Sequence, residues 1–286
     1  MPVAIDVLTT VPDLLGEGPV YDASTGALYR IDITGRAVRR IDLDGSAGRE
    51  WTLPLEPGSL ALRAAGGAVV ALEDGLWSLD LDTGVVERLA DVTGGDARVA
   101  LNDGRCDDAG QFWVGSYARN ERDAIGGIFR VGADRSVTQV SGGVTVGNGL
   151  DWSPDGATFY FTDSAGTITA FDVEDGLPVR PRTFAYDDDC SPDGLVVDAD
   201  GGVWSTKWDG WRIVRYAPDG RVDRVVGVPV QRPTAATFGG PGLDTLFVTS
   251  ATGGLDPGAL AGQPLAGLVL ALDPGVSGRP SAQFAG

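Results

Sequence analysis

Apolar residues along this chain occur in short runs that are separated by turns rich in Asp and Gly. One such unit reads Val20-Tyr21-Asp22, then a turn, then Ala27-Leu28-Tyr29-Arg30-Ile31-Asp32. Short runs bounded by Gly, Asp and Pro are typical of β-strands. No segment has an apolar period of 3.6 residues over more than about three turns, as a packed amphipathic helix would. The pattern therefore predicts an all-β protein.

This unit of strand, turn and strand recurs six times. The repeats begin near Val20, Leu60, Cys106, Asp151, Val197 and Phe238. Their spacing is roughly 40 to 47 residues, the length of a four-stranded propeller blade. Apolar and polar positions alternate only weakly, as expected for blades with neighbours on both faces. The prediction is a six-bladed β-propeller with four-stranded blades around a central channel, formed by residues 1–286 as one domain; a two-sheet sandwich would not need six near-equal units.

Composition agrees with this fold and limits the partners. The 286 residues include 43 Gly and 17 Pro, which suit many tight turns. The formal net charge of −18 opposes binding to phosphate backbones and anionic lipids, so we expect no nucleic-acid and no membrane partner. Neither a signal-peptide pattern nor a long apolar run is present. We expect a cytoplasmic protein that is a monomer or a weak homo-oligomer.

The chain contains no histidine, which excludes Ser-His-Asp and Cys-His catalytic systems and His-rich zinc sites. Acid–base chemistry is left to carboxylates, Lys, Tyr or metal-bound water. Carboxylates are the obvious candidates, since there are 40 Asp and Glu residues. The two cysteines, Cys106 and Cys190, are too few for a disulfide framework, and we expect both to be reduced and mostly buried.

Four polar clusters lie just before the repeated units, at a similar phase, each with an amide or a carboxylate beside Gly. They contain Glu17, Asn102 with Asp103, Asn148, and Asp193. A single Asn-Gly or Asp-Gly is an ordinary turn dipeptide. Recurrence at one phase instead indicates side chains that converge on the channel. Glu17, Asn148 and Asp193 would supply two carboxylates and one neutral oxygen, which suits Ca²⁺, Mg²⁺ or Mn²⁺, while Zn²⁺ or Fe²⁺ could also enter.

Several ordered segments resemble the regucalcin/gluconolactonase family, also called the senescence marker protein family. They are Leu15-Gly16-Glu17-Gly18-Pro19, Asn102-Asp103-Gly104-Arg105, Gly147-Asn148-Gly149-Leu150-Asp151-Trp152-Ser153-Pro154-Asp155-Gly156, Pro192-Asp193-Gly194 and Phe238-Gly239-Gly240-Pro241 to Thr249-Ser250-Ala251. The likeness covers nearly the whole chain. It implies a six-bladed propeller with one central divalent metal, Ca²⁺ in first place, that opens aldonolactones such as glucono-, xylono- or arabinonolactone. By position, it implies that Glu17, Asn148 and Asp193 hold the metal and that Asp193 is also the general base.

The resemblance further implies that Asn102 holds substrate near the metal. The family has an Arg two residues before that Asn, whereas this chain has Ala100. Arg98 lies two residues further back and would share a strand face with this position if the strand were regular. Arg98 either replaces the missing guanidinium or is solvated, so the natural lactone stays open. Asp103 is interpreted as a partner of the ligands rather than a ligand.

Other candidate substrate contacts carry weaker signals. Tyr117, Arg119 and Glu121 follow the strand of the third repeat, where they either form a lid over the channel or belong to an ordinary surface loop. Lys207 is the only lysine and is followed by Trp208. A Trp face often lines a sugar site, although Trp more often packs between blades.

These observations favour metal-dependent hydrolysis of a sugar lactone. The metal would polarise the lactone carbonyl, and Asp193 would take a proton from the attacking water. Three alternatives stay open. The chain could be another metal-dependent propeller hydrolase, such as a phosphotriesterase; a non-catalytic propeller with a protein-binding face; or a propeller whose metal is purely structural.

Overall fold

The computed structural model describes residues 4–44 and 48–286, and it confirms the six-bladed propeller. Each blade is an antiparallel sheet of four strands. The first strand is β1 (Ile5–Val7); blade 1 then contains β2 (Gly16–Asp22), β3 (Ala27–Asp32), β4 (Ala37–Asp42) and β5 (Arg49–Thr52), and blade 2 contains β6 (Pro57–Leu62), β7 (Ala68–Leu72), β8 (Gly75–Leu79) and β9 (Val86–Asp91). Blade 3 contains β10 (Val99–Cys106), β11 (Phe112–Ala118), β12 (Gly126–Val131) and β13 (Val137–Val144), and blade 4 contains β14 (Gly147–Trp152), β15 (Thr158–Asp163), β16 (Thr167–Glu174) and β17 (Leu177–Tyr186). Blade 5 contains β18 (Ser191–Val197), β19 (Val203–Trp208), β20 (Arg212–Tyr216) and β21 (Val222–Gly227), and blade 6 contains β22 (Pro233–Gly239), β23 (Thr245–Ser250) and β24 (Leu270–Leu272).

The first strands of the blades close into a ring around the central axis. Each of β2, β6, β10, β14, β18 and β22 contacts the next, and β22 contacts β2. The outermost strand of blade 6 is β1, which comes from the other end of the chain. It pairs antiparallel with β24 and places Ile5 opposite Leu272. Blade 6 therefore joins the two ends of the propeller and holds the circle shut.

Apolar side chains fill the spaces between neighbouring blades. Trp204 of blade 5 and Phe238 of blade 6 belong to one buried cluster, with ring centroids 6.4 Å apart. Tyr29 of blade 1 and Leu60 of blade 2 belong to another. Because the inner strands have neighbours on both faces, β3 and β6 are buried at every position. This two-sided burial explains the weak alternation of the sequence.

A β-bulge occurs at the same place in every innermost strand. The register against the second strand of the blade shifts once, for example between Glu17 and Val20 in β2 and between Gly147 and Leu150 in β14. The other shifts lie at Pro57/Ser59, Leu101/Gly104, Pro192/Leu195 and Pro233/Ala236. A bulge re-aims the side chains it carries. The polar clusters of the sequence coincide with these bulges. They therefore lie inside the innermost strands, whereas the sequence pattern had placed them just before the strands.

The two ends of the central channel differ in width. One end opens into a cavity of about 480 Å³. Further along the inner strands lie two smaller spaces, of about 40 Å³ and about 220 Å³, and Ala282 of the C-terminal segment lines both. The backbone N–H of the fully buried Phe284 donates to Leu62 O and fixes this segment. The wide end is therefore the route to the centre.

Outside the blades, α1 (Pro257–Gly262) is a single short helix in the described part of the chain, and Asp256 caps its N-terminus. No helix within residues 4–44 and 48–286 combines the length and the apolar character needed to cross a bilayer. Both cysteines are free thiols. Cys106 is buried as expected, whereas Cys190 is only partly buried.

Candidate metal centre and active site

The three predicted metal ligands lie together at the wide end of the channel. Glu17 on β2, Asn148 on β14 and Asp193 on β18 line the 480 Å³ cavity and are 6%, 7% and 5% exposed. Each sits at the bulge of its innermost strand, which lets three separate blades present an oxygen-bearing side chain to one place. The Asn148 side chain lies close enough to the Asp193 carboxylate to counter part of the rise in its pKa.

Hydrogen bonds fix the orientation of the Asn148 amide. Its Nδ2 donates to Ser164 Oγ over 3.1 Å, and that hydroxyl donates to Pro192 O over 2.8 Å. The Asn148 Oδ1 accepts no hydrogen bond from the residues that the structure describes. The free oxygen is thus available to a cation, since an amide nitrogen cannot serve as a metal ligand in the way the carbonyl oxygen does.

The negatively charged form of the carboxyl groups at the centre is destabilised by burial, and for Glu17 and Asp193 also by neighbouring carboxylates. Desolvation raises the pKa of Asp193 well above its usual value, and the nearby charge of Asp103 raises it further. Desolvation, followed by the charges of Asp193 and Asp103, raises the pKa of Glu17. Desolvation also raises the pKa of Asp103 to about 7. No Lys or Arg among the described residues lines the cavity. A hard divalent cation would supply the missing positive charge, so the donor set fits such an ion.

Three of the predicted substrate contacts face the same cavity: Asn102, Tyr117 and Glu121. Asn102 belongs to the bulge of β10, and its Nδ2 donates to Gly147 O of the next blade over 2.9 Å. The hydroxyl of Ser59 donates to Asn102 O over 2.7 Å. These bonds hold Asn102 between its neighbours. Tyr117 lies near the end of β11, and Glu121 lies in the turn that follows that strand.

Arg98 lies outside the cavity, which corrects the expectation that it contacts substrate. Its residue belongs to the turn before β10, so the strand alternation that would align it with Ala100 does not reach it. The guanidinium is exposed and pairs with Asp96, with Nη2 and Oδ2 2.6 Å apart. Ala100 itself is fully buried. The missing guanidinium is therefore not replaced by Arg98.

Lys207 also lies outside the cavity, because it points to the opposite side of β19 from Trp208, which lines it. The Lys207 side chain is fully buried. Its Nζ donates to Asp187 Oδ2 over 2.6 Å and to Ser205 Oγ over 3.1 Å. The prediction of a substrate contact is corrected to a buried ion pair.

Two further acidic residues line the cavity, Glu56 and Glu73. Neither was among the candidates predicted from the sequence. Glu56 directly precedes Pro57 at the bulge of β6, at nearly the same phase as Glu17 in β2. The repeat could have revealed it, had the second repeat been aligned with the first. Glu73 follows β7 and carries no such signal, because only the packing of blades 2 and 3 brings it to the cavity.

Residues 15–252 match the family described as the SMP-30/Gluconolactonase/LRE-like region. The chain belongs to this family. The 6-deoxy-6-sulfogluconolactonase of Pseudomonas putida is 37% identical to this chain over 282 residues, with 96% of each protein covered. The L-arabinolactonase of Azospirillum brasilense is 36% identical over 288 residues, with 98% of this chain and 95% of that one covered.

A solved structure agrees with this assignment. The calcium-binding protein regucalcin from Agrobacterium tumefaciens superposes with a TM-score of 0.94 at 30% identity, covering 99% of this chain and 98% of that one. The resemblance inferred from the ordered motifs is thus confirmed. The same superposition supports the propeller architecture over 99% of this chain.

Proposed function

We propose that this chain is a metal-dependent lactonase that opens an aldonolactone, such as glucono-, xylono- or arabinonolactone, to the aldonic acid. The observation that carries the proposal is the meeting of Glu17, Asn148 and Asp193 in one cavity of about 480 Å³. That volume is in the range of small-molecule sites. Relatives 36–37% identical over nearly the whole chain are named lactonases, which supports the same class of reaction.

In this proposal Glu17, Asn148 and Asp193 would hold one divalent cation, with Ca²⁺ as the first choice. When bound, the cation supplies Lewis-acid polarisation of the lactone carbonyl. Asp193 accepts a proton from the attacking water as its oxygen adds to the carbonyl carbon. The ring C–O bond then breaks, and the same proton passes to the departing ring oxygen. Asn102, Tyr117 and Glu121 orient the sugar hydroxyls.

The test is a panel of lactones assayed by acid release, with Ca²⁺, Mg²⁺, Mn²⁺ or Zn²⁺ added in turn and after chelation. We expect hydrolysis that is lost on chelation and restored by at least one of these ions. The Asp193→Ala variant should lose at least about 10²-fold in kcat if Asp193 is the base. The matched control is Asp219→Ala in the same blade, whose carboxylate is exposed and pairs with Arg221.

Three outcomes would contradict parts of the proposal. Full activity after thorough chelation would make any bound metal structural. Normal turnover by the Asp193→Ala variant would refute its role as base. If no lactone is hydrolysed with any ion, while an organophosphate ester in the same panel is, the substrate class is wrong and the phosphotriesterase alternative holds.

A further inference from the structure

The mouth of the cavity carries three carboxylates beyond the proposed ligands, on Glu56, Glu73 and Glu121. Glu56 and Glu73 belong to blade 2, and Glu121 belongs to blade 3. All three act electrostatically on the hydroxyl of Tyr117, together with Arg119. They therefore surround one part of the cavity wall, at the side where blades 2 and 3 meet.

Only one of these carboxylates has a cationic partner. Arg119 Nη2 lies 2.6 Å from Glu73 Oε2. The side chains of Glu56 and Glu121 make no ion pair and no hydrogen bond within residues 4–44 and 48–286. Because these two carboxylates are unpaired, their negative charge acts directly on a ligand that enters the cavity.

The charge at the mouth persists when the centre is neutralised. A dication would balance Glu17 and Asp193, and Arg119 balances Glu73. Glu56 and Glu121 then keep two uncompensated negative charges, and no Lys or Arg in the described part of the chain lines the cavity. An anionic group on a substrate would meet like charges at short range, and the guanidinium beside this wall, Arg119, is already paired with Glu73.

We infer that Glu56 and Glu121 form a charge filter that admits uncharged sugar lactones and rejects lactones carrying a carboxylate, sulfonate or phosphate. This inference rests on the proposed function and narrows its substrate class. It separates the chain from its 37%-identical relative, whose name specifies a sulfo-substituted gluconolactone. Hydrolysis also creates a carboxylate, so the same two residues oppose retention of the product.

The experiment compares D-glucono-1,4-lactone with D-glucaro-1,4-lactone, which share the ring and differ by a carboxylate at C6. With the preferred divalent ion present, kcat/KM should be at least about 30-fold higher for the uncharged lactone, since two like charges act on the C6 carboxylate. Glu56→Gln should raise the relative kcat/KM of the charged lactone about fivefold, and Glu56→Gln combined with Glu121→Gln should raise it further. Added salt should also narrow the ratio.

The matched control is Glu87→Gln, which removes the same charge from an exposed position of blade 2 that does not line this cavity. It should leave the ratio of the two kcat/KM values within about twofold of the wild-type ratio. Equal kcat/KM for both lactones in the wild-type protein would overturn the charge filter and leave the proposed lactonase intact. A ratio unchanged in the double variant would overturn it as well.

A binding measurement keeps the filter testable if the proposed function fails. If neither lactone is hydrolysed with any ion, the lactonase proposal is wrong, and calorimetric titration with D-glucose and D-glucuronate decides the filter. The uncharged sugar should then bind at least about tenfold more tightly, and the double variant should narrow that difference. Equal affinities of the wild-type protein for the two sugars would overturn the filter.

Discussion

Desolvation governs the carboxyl groups at the centre of the channel. The pKa of Asp103 is raised from its usual value to about 7, and those of Glu17 and Asp193 are raised well above theirs. A raised carboxyl pKa means that the folded chain holds protons which the unfolded chain has already released. Ionisation therefore opposes folding of the metal-free protein, and this opposition grows as the pH rises from the unfolded pKa towards the folded one.

The metal-free protein should lose stability between about pH 4 and pH 7, the interval between the ordinary carboxyl pKa and the raised value of Asp103. Urea unfolding in the presence of chelator at pH 5 and pH 8 measures this loss. Asp103→Asn should reduce the difference in the free energy of unfolding between the two pH values by on the order of 3 kcal/mol. Asp108→Asn, at an exposed position, should leave that difference unchanged. If the free energy of unfolding changes equally between pH 5 and pH 8 in the wild-type protein and in Asp103→Asn, the loss of stability does not come from Asp103.

Lys207 illustrates how burial decides the role of a charged side chain. Desolvation lowers its pKa, and the attraction of Asp187 opposes that shift. The ammonium group also lies 5.1 Å from the centroid of the Tyr216 ring. The pair ties the segment before β18 to β19, and β18 carries Asp193 three residues after Cys190.

Replacing Lys207 by Met should cost about 3 kcal/mol, because it leaves the nearly buried Asp187 carboxylate without its partner. Adding Asp187→Asn to that variant should recover part of the loss. Arg221→Met in the same blade breaks an exposed pair with Asp219 and should cost less than about 1 kcal/mol. Chemical denaturation compares the variants, and similar losses for Lys207 and Arg221 would show that burial of the pair is not decisive.

Among the elements, the innermost strands are the ones that position the site. Their bulges turn Glu17, Asn148 and Asp193 towards the axis, and they need close backbone approach between blades. A Cβ at Gly149 of β14 would lie 2.0 Å from the backbone nitrogen of Leu195 in β18. Since backbone cannot yield as a flexible side chain can, glycine is required where these two strands meet.

Gly149→Ala should therefore destabilise the protein by about 3 kcal/mol or more and should lower the affinity for the proposed divalent ion, because Asn148 and Asp193 lie on the strands forced apart. Gly262→Ala in α1 is the matched control, since a Cβ there would meet nothing within 4 Å. Urea denaturation and metal titration measure the two effects. A Gly149→Ala protein with wild-type midpoint and metal affinity would refute the close-packing argument.

Closure of the propeller ring depends on β1. This strand supplies the outer edge of blade 6, and the chain that follows it adds a bond from Leu8 N to Val269 O over 2.9 Å. Leu8 also packs against the apolar cluster that contains Phe247 and Val269. The ends of the propeller are thus held by backbone pairing together with a small apolar contact.

Removal of residues 1–8 should lower the free energy of unfolding by on the order of 3 kcal/mol, because β24 loses its ladder partner and Leu8 its packing. Asp6→Ala keeps the strand and changes only an exposed side chain, so it should shift stability by less than about 0.5 kcal/mol. Thermal unfolding followed by circular dichroism compares the two proteins. An unchanged midpoint after the deletion would show that β1 does not hold the ring.

The all-β class and the number of blades follow from the linear pattern alone, because repeat length and turn residues are properties of the chain. The lack of histidine and the abundance of carboxylates also predict oxygen ligands. The recurring phase of Glu17, Asn102, Asn148 and Asp193 indicated that they face one channel, and the family resemblance named their roles. These are local or periodic signals, which survive without knowledge of long-range contacts.

Which other side chains reach the cavity depends on how the blades pack in three dimensions. That packing placed Arg98 in a solvated turn, enclosed Lys207 with Asp187, and brought Glu56 and Glu73 to the mouth beside Glu121. Each outcome depends on contacts between neighbouring blades or on where a strand begins. A residue's facing direction changes with a single bulge or a one-residue shift in a strand boundary, and such shifts are set by packing between blades that the linear pattern does not contain.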